Sequence, residues 1–166
     1  MTDMDPANLV GDSFSAHTLR YHDGQQRRVL VQDREVPFPE GKLIVSSTDL
    51  TGRITHANQA FVDMSGYTRE ELIGENHYIL RHPDMPAVAF KDLWDTVSQG
   101  RKWQGYVKNL RKDGAYYWVF ATAIPNVRNG NIIGYTSVRR KPSRTKINEC
   151  IELYARLRAE ESSHDA

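Results

Sequence analysis

Three strand-like segments in the last third of the chain constrain the fold most. Residues 103–110 alternate between apolar and polar side chains, and residues 116–124 are rich in aromatic and β-branched side chains. Residues 132–139 form the third segment, and the sequences Lys-Asp-Gly at 112–114 and Asn-Gly at 129–130 separate the three. Both sequences are typical of tight hairpin turns, which join antiparallel neighbours. This region therefore predicts a three-stranded antiparallel meander.

Shorter elements precede the meander. Residues 43–47 and 53–57 predict a hairpin around the Asp-Leu-Thr-Gly turn at 49–52. Asn58 is suited to cap one short helix, and Thr68 opens the capping-box pattern of a second.

Two longer helical patterns complete the order of elements. Asp84 is suited to be the N-cap of the first, which ends at Gly100, and the second begins near Thr145. Apolar residues recur at helical spacing in both, at 89, 90, 93, 94 and 97 and at 147, 151, 154 and 157. Because the strands are grouped rather than alternating with helices, the chain predicts an α+β domain with helices on one face of an antiparallel sheet. The last helix could pack on the sheet or pair with a second chain.

Composition and charge exclude several classes of function. The 22 basic and 21 acidic residues give a net charge of +1, which argues against nucleic acid as a partner, and Arg139, Arg140, Lys141 and Arg144 are expected to form a solvated link. No apolar run approaches the ~20 residues that span a bilayer, so direct membrane insertion is not expected. The single cysteine, Cys150, allows no internal disulfide and fits a reducing cytoplasm. No metal-ligand or catalytic motif is present, and we expect the chain not to be an enzyme.

A polar cluster lies between the short helices and the first long helix. Residues 76–86 read Asn-His-Tyr-Ile-Leu-Arg-His-Pro-Asp-Met-Pro and place His77, Arg81 and His82 near a helix start. A polar cluster between a sheet and a helix is a candidate place for a ligand.

The ordered set of short motifs resembles a PAS domain over residues 41–141. Its pieces are Ser-Thr-Asp-Leu-Thr-Gly-Arg-Ile-Thr-His-Ala-Asn at 47–58, Phe61, Ser-Gly-Tyr at 65–67, Glu-Glu-Leu-Ile-Gly at 70–74, Asn-Leu-Arg-Lys-Asp-Gly at 109–114, Tyr-Trp-Val at 117–119 and Gly-Tyr at 134–135. Among PAS domains the chain is most similar to the flavin-binding sensor of aerotaxis receptors, through residues 81–86, the Trp103-x-Gly105 pair and residues 35–41. The resemblance implies a PAS fold, in which a five-stranded antiparallel sheet carries short helices on one face, with an N-terminal extension and a C-terminal helix.

The resemblance also implies a noncovalently bound FAD between the sheet and the short helices. The family's polar contacts carry over to Arg81, His82 and Asp84, its ring-side tryptophan to Trp103, and a hydrogen bond to the ring to Asn109. The pyrophosphate would need a cation or helix N-terminal N–H groups, which Arg81 and the helix near Asp84 could supply. The structural alternatives are an exposed arginine, a core tryptophan, a histidine that only orders the loop and an aspartate that only caps the helix.

The ring would also need an apolar slot, and Trp103, Leu80, Phe61 and Val107 are candidate walls. The chain departs from the light-sensing LOV branch, because His77 stands where that branch carries its flavin-bonding cysteine. The LOV glutamine of the last strand is aligned with Thr136, and its second ring-binding asparagine with Val119. Light sensing is therefore disfavoured, whereas redox sensing needs only a reducible ring.

These observations divide the chain into three expected parts: an N-terminal tail and extended arm at 1–40, whose first 26 residues are expected to be mobile, the PAS sensor at 41–141, and a C-terminal signalling or packing helix and tail at 142–166. The expected function is a cytoplasmic sensor that binds FAD and transmits redox or oxygen signals, as in energy taxis, to a chemoreceptor, a kinase or another signalling protein, with a homodimer left open. One alternative is a cofactor-free PAS module for protein interaction or dimerisation. Another is a sensor of haem or a small ligand, with His77 or His82 as the axial ligand.

Overall fold

A five-stranded antiparallel sheet forms the body of the protein in the computed structural model, which describes residues 1–164. In chain order the strands are β1 Ser15–Arg20, β2 Gln26–Val31, β3 Ile44–Thr48, β4 Ile54–Ala57, β5 Trp103–Leu110, β6 Tyr116–Arg128 and β7 Asn131–Arg140. The sheet has the order β4-β3-β7-β6-β5, and β1 and β2 form a separate hairpin. The predicted fold class is confirmed.

The described chain also contains four α-helices and two short 3-10 helices. The α-helices are α1 Gln59–Ser65, α2 Arg69–Leu72, α3 Ala87–Ser98 and α4 Arg144–His164. The 3-10 helices are Pro6–Asn8 and His77–Leu80, and the second is called the central turn below. None of the helices within the described chain is long and apolar enough to cross a bilayer.

The capping residues recognised in the sequence predicted the positions of both short helices correctly. The Asn58 side chain accepts a hydrogen bond from the Phe61 N–H (3.0 Å), and Thr68 and Glu71 form the predicted capping box. The Asn-Gly turn between β6 and β7 is also confirmed, since Asn129 has φ 51° and Gly130 has φ 80°. A two-residue hairpin turn of this kind needs positive φ at both positions, which asparagine and glycine tolerate best.

The main core lies between one face of the sheet and helices α1–α3 with the central turn. Its buried members from the sheet are Ile44, Ile54, Trp103, Val107, Tyr117, Val119, Ala121 and Ala123, and those from the covering elements include Phe61, Met64, Leu72, Ile79, Leu80 and Val97. On the opposite face, the Tyr154 ring of α4 stacks on Trp118 and its hydroxyl donates to the Tyr106 carbonyl (2.6 Å). Helix α4 therefore packs on its own sheet.

The expectation of a mobile tail over residues 1–26 is wrong. Strand β1 lies there and pairs with β2, from Ser15 opposite Val31 to Arg20 opposite Gln26. The side chains of β1 are largely exposed, so the strand has no apolar alternation by which a period could be recognised. Strand β2 is the buried partner, since Val29 and Leu30 are fully enclosed.

Candidate functional site

The central turn crosses the sheet from one edge strand to the other. At its start, Asn76 bridges Arg53, next to β4, and the His77 N–H donates to the Gly52 carbonyl (2.8 Å). At its end, Arg81 bridges Asn109 of β5. Because β4 and β5 are the two edges of the sheet, the turn encloses the inward side chains of the strands between them.

A buried arginine lies beneath the turn. Arg139 of β7 is 2% exposed, and its Nη2 donates to Ser46 Oγ and to His77 Nε2, each at 2.7 Å. Its guanidinium lies over the Phe61 ring, 4.9 Å from the centroid. No carboxylate of the described residues pairs with Arg139, and its Nη1 is buried without a hydrogen-bond partner. The expectation that Arg139 belongs to a solvated link is therefore wrong.

Electrostatics fix the protonation of this cluster. Burial, together with the charge of Arg139, lowers the pKa of His77 to about 3, so the ring is neutral. Because a guanidinium only donates, His77 Nε2 accepts and the proton lies on Nδ1. Burial lowers the pKa of Arg139 to about 10, and the group stays charged.

A second unpaired donor lies on the neighbouring strand. Tyr117 of β6 is fully buried, its oxygen lies close to the Asn109 side chain, and its hydroxyl donates to no acceptor among the described residues. Burial raises the pKa of this hydroxyl to about 12, so it stays protonated. An unpaired buried donor costs about 1–3 kcal/mol, and two of them in one core indicate a place where acceptor atoms of a ligand would bind.

Arg81 ends the central turn and lies towards the outside of the core. Its guanidinium lies over the Phe90 ring of α3, 5.2 Å from the centroid, and its Nε is buried with no hydrogen-bond partner in the part of the chain that the structure describes. Burial lowers the pKa of Arg81, while the charge of Glu161 acts to raise it. The alternative of a freely exposed arginine does not hold.

His82 is 1% exposed and neutral. Its Nδ1 accepts from the Asp84 N–H (3.0 Å), which puts the proton on Nε2. Nε2 is buried with no acceptor within residues 1–164. Burial, with the charge of Lys108, lowers the pKa of His82 to about 3. No group of three or more His, Cys, Asp or Glu side chains within the described chain is arranged to hold a metal ion.

Asp84 is an ion-pair centre rather than the predicted N-cap. Its carboxylate accepts from Lys108 Nζ (2.8 Å) and Arg158 Nη1 (2.7 Å). Burial alone would raise the pKa of Asp84, but the hydrogen bond and charge of Lys108 and the charge of Arg158 lower it to about 2. The helix starts later than predicted, at Ala87, because Pro86 occupies its N-cap without a side-chain hydrogen bond.

Trp103 lies on the inward face of β5 and joins the main core. Its Nε1 donates to Asp92 Oδ2 of α3 (2.9 Å). A Cβ on Gly105 would come within 2.4 Å of the Trp103 ring, so only glycine fits at the second position of the Trp-x-Gly pair. The four predicted wall residues, Trp103, Leu80, Phe61 and Val107, share the main core cluster.

The five predicted site residues fall into two groups. Arg81 and Asn109 meet through their backbones, and His82 and Asp84 through a hydrogen bond, so these four lie along the edge formed by β5. The Asn109 side chain is 5% exposed, and Asn109 lies opposite Tyr117. Trp103 is on the inward face and contacts α3 instead.

Sequence reasoning missed Arg139 and Ser46 and gave little weight to His77. A signal for Arg139 was present in the strand period, since Tyr135, Ser137 and Arg139 share one face of β7. The Tyr135 ring packs edge-on against Trp94 of α3, so this face points towards the helices.

Three comparisons place the chain among known proteins. The family model of the PAS fold matches residues 54–139. The chain is 46% identical over 133 residues to the aerotaxis receptor of Escherichia coli (strain K12), and the match covers 80% of the chain and 26% of the receptor, so the chain spans about a quarter of that relative. A light-oxygen-voltage domain studied with a flavin analogue is 25% identical, with a TM-score of 0.56 over 73% of this chain and 87% of that one. The light-state LOV domain of the blue-light photoreceptor Aureochrome1 is 22% identical, with a TM-score of 0.58 over 70% of this chain and 91% of that one, and shows the same fold.

Proposed function

Because this chain belongs to the PAS family, we propose that it is a cytoplasmic sensory module that binds FAD noncovalently and passes the redox state of the flavin to a signalling partner. The similarity to the aerotaxis receptor supports a role in redox or oxygen sensing. A chemoreceptor, a kinase or another regulator of that kind would be the partner.

The observation that carries this proposal is the pair of unpaired donors inside the core. Arg139 Nη1 and the Tyr117 hydroxyl are buried between the sheet and the covering elements with no acceptor in the described chain. A flavin ring is planar, apolar on its faces and rich in acceptor atoms at one edge, which suits this combination of apolar walls and donors. When bound, the flavin would supply reversible electron transfer.

The protein's own residues would then have distinct roles. Trp103 would flank the ring, and Asn109 would hydrogen-bond its polar edge. Arg81 would bind the pyrophosphate, because its Nε has no hydrogen-bond partner among the described residues. His82 and Asp84 would serve the cofactor by fixing the loop that carries Arg81, through the bond between them and the pairs to Lys108 and Arg158.

The signal would leave through β7 and α4. Arg139 lies at the end of β7, which leads into α4 within a few residues. A change of hydrogen bonding around Arg139 would therefore act directly on the strand that carries α4. A ligand shifts such an equilibrium only by its different affinity for the two states.

A second candidate is a cofactor-free interaction module, favoured by apolar side chains that α4 leaves exposed. Ile151 is 48% exposed and Leu153 is 39% exposed. Under this candidate, the protein would use α4 to pair with another chain.

The visible absorption spectrum of the purified protein separates the two candidates. We expect paired flavin bands, with FAD released on boiling. A folded, colourless protein that stays colourless after incubation with FAD would contradict the proposal and favour the interaction module.

Replacing Arg81 tests the site itself. We expect Arg81→Ala to lose most of its FAD with the far-ultraviolet circular dichroism unchanged, and we expect Arg128→Ala, at an exposed arginine, to keep FAD. A charge-assisted hydrogen bond contributes about 1.5–3 kcal/mol, so the dissociation constant should rise at least tenfold. If Arg81→Ala binds FAD as tightly as the wild type, Arg81 has no role towards the pyrophosphate.

A further inference from the structure

Arg139 is a buried cation that faces no anion among the described residues. Its Nη2 is used by two neutral acceptors, Ser46 Oγ and His77 Nε2, and its Nη1 has no partner in the described chain. Burying a charge is costly unless it is paired, so this arrangement indicates a site in which the partner is a ligand.

Every element packed against Arg139 contributes a neutral group. Strand β3 supplies Ser46, the central turn supplies His77, and α1 supplies the Phe61 ring. Strand β6 supplies Tyr117, whose pKa is raised by burial to about 12. The pKa of His77 is about 3, so the cluster carries one positive charge, that of Arg139, across the physiological range.

We propose that Arg139, oriented by Ser46 and His77, binds the electron-rich edge of the flavin ring and favours the reduced ring in its anionic form. This inference rests on the proposed function and adds an assignment to it. Arg139 acts as the group that sets how readily the ring is reduced, whereas Trp103 and Arg81 hold the cofactor.

The charge balance defines the redox step. Two electrons from an external donor, which is an electron carrier in the cell and dithionite in the test, enter the ring. Uptake of one proton leaves one negative charge on the reduced ring, and uptake of two protons leaves none. A cation in a low-dielectric interior stabilises the charged product and so raises the reduction potential.

The wild-type protein tests this directly through the pH dependence of its midpoint potential. For a two-electron couple a tenfold change in the equilibrium constant is about 30 mV. One proton per two electrons therefore gives a slope of about 30 mV per pH unit, and two protons give about 60 mV. We expect the smaller slope across roughly pH 5 to 8, where an ordinary histidine would titrate but His77 stays neutral. The larger slope would overturn the proposal.

Substitutions then assign the effect to Arg139. We expect Arg139→Gln to lose at least tenfold in its preference for reduced over oxidised flavin, which is a fall of about 30 mV or more. Arg139→Lys should retain most of the wild-type potential, because it keeps the charge. Arg140→Gln, at the exposed neighbour on the same strand, should match the wild type. An unchanged potential in Arg139→Gln would overturn the assignment.

Comparing riboflavin, which has the flavin ring but no phosphate, with FAD shows which part of the cofactor Arg139 contacts. If Arg139 binds the ring, Arg139→Gln should weaken the binding of reduced riboflavin and the binding of reduced FAD by the same factor. A loss confined to FAD would place Arg139 at the pyrophosphate and overturn the proposal. Failure of the wild type to bind any flavin would instead contradict the proposed function, and the two failures are thereby separable.

Discussion

Two buried histidines make stability depend on pH. His77 and His82 are neutral in the folded protein, with pKa values of about 3, whereas an unfolded histidine has a pKa of about 6.5. Both folded values are depressed, so the unfolded state binds protons first as the pH falls. The contribution of each neutral histidine is fully present above about pH 6.5 and is lost progressively towards pH 3.

We predict that the free energy of unfolding falls by about 2 kcal/mol per buried histidine between pH 7 and pH 5. Urea unfolding at several pH values measures this slope. His82→Gln should remove about half of the pH dependence, whatever its effect on stability at pH 7. His56→Gln, at an exposed histidine, should leave the slope as it is. A pH dependence that is the same with and without His82 would show that this histidine is not held neutral.

At the scale of elements, α4 is tied to the loop that carries the candidate site. The Glu161 carboxylate accepts from the N–H groups of Ala87 (3.2 Å) and Val88 (3.0 Å), the first residues of α3. Arg158 pairs with Asp84 in the preceding loop. A carboxylate at a helix N-terminus is favourable both as an acceptor and through the helix dipole. The far end of α4 therefore supplies the cap that α3 lacks.

We predict that Glu161→Gln loosens both helix ends by about 1 kcal/mol. Amide hydrogen exchange should become about fivefold faster at 87–90 and 155–162. Glu152→Gln, on the exposed side of α4, serves as the matched control and should exchange like the wild type. Unchanged exchange at 87–90 in Glu161→Gln would mean that the carboxylate does not hold α3.

The elements that were predicted well from the sequence are those whose structure depends on residues close together in the chain. The Thr68 capping box, the Asn58 cap and the turn at 129–130 each depend on side chains a few residues apart. The start of α3 was predicted wrongly because Asp84 had the chemistry of an N-cap, while its partners Lys108 and Arg158 are distant in sequence.

The candidate site was predicted unevenly for the same reason. The apolar walls followed from hydrophobic pattern, and residues 81–84 from a family motif. The contact of Arg139 with His77 joins β7 to the central turn across the whole core, and no local pattern records it. A run of basic residues at the end of a strand is easily predicted to be solvent-exposed. Only the alternation of inward and outward side chains, followed to the last residue of the strand, indicates that one of them is buried.

At the scale of the whole molecule, a second buried arginine attaches the β1–β2 hairpin to the body. Arg27 is 4% exposed and donates to the Ile79 carbonyl (3.0 Å), the Tyr67 hydroxyl (3.0 Å) and the Thr2 carbonyl (2.8 Å). Tyr21 stacks on Tyr78 of the central turn, with ring centroids 3.9 Å apart. The hairpin is thus docked on the turn by hydrogen bonds and by ring stacking.

We predict that Arg27→Met destabilises the protein by about 3 kcal/mol, because three acceptors lose a charged donor. Thermal unfolding measures the loss, and hydrogen exchange should locate it in residues 15–31 and the central turn. Arg28→Met, at the exposed neighbour, should change the midpoint temperature little. A hairpin that exchanges at the wild-type rate in Arg27→Met would show that Arg27 does not hold it.

The path of the central turn has a kinetic consequence. The sheet from β4 to β5 and the turn that returns across it form a closed loop of backbone, fastened at Asn76 and at Arg81. We expect a molecule held between the sheet and the turn to leave more slowly while both fastenings are closed. Opening of either fastening would then contribute to its dissociation rate, which affinity alone does not determine.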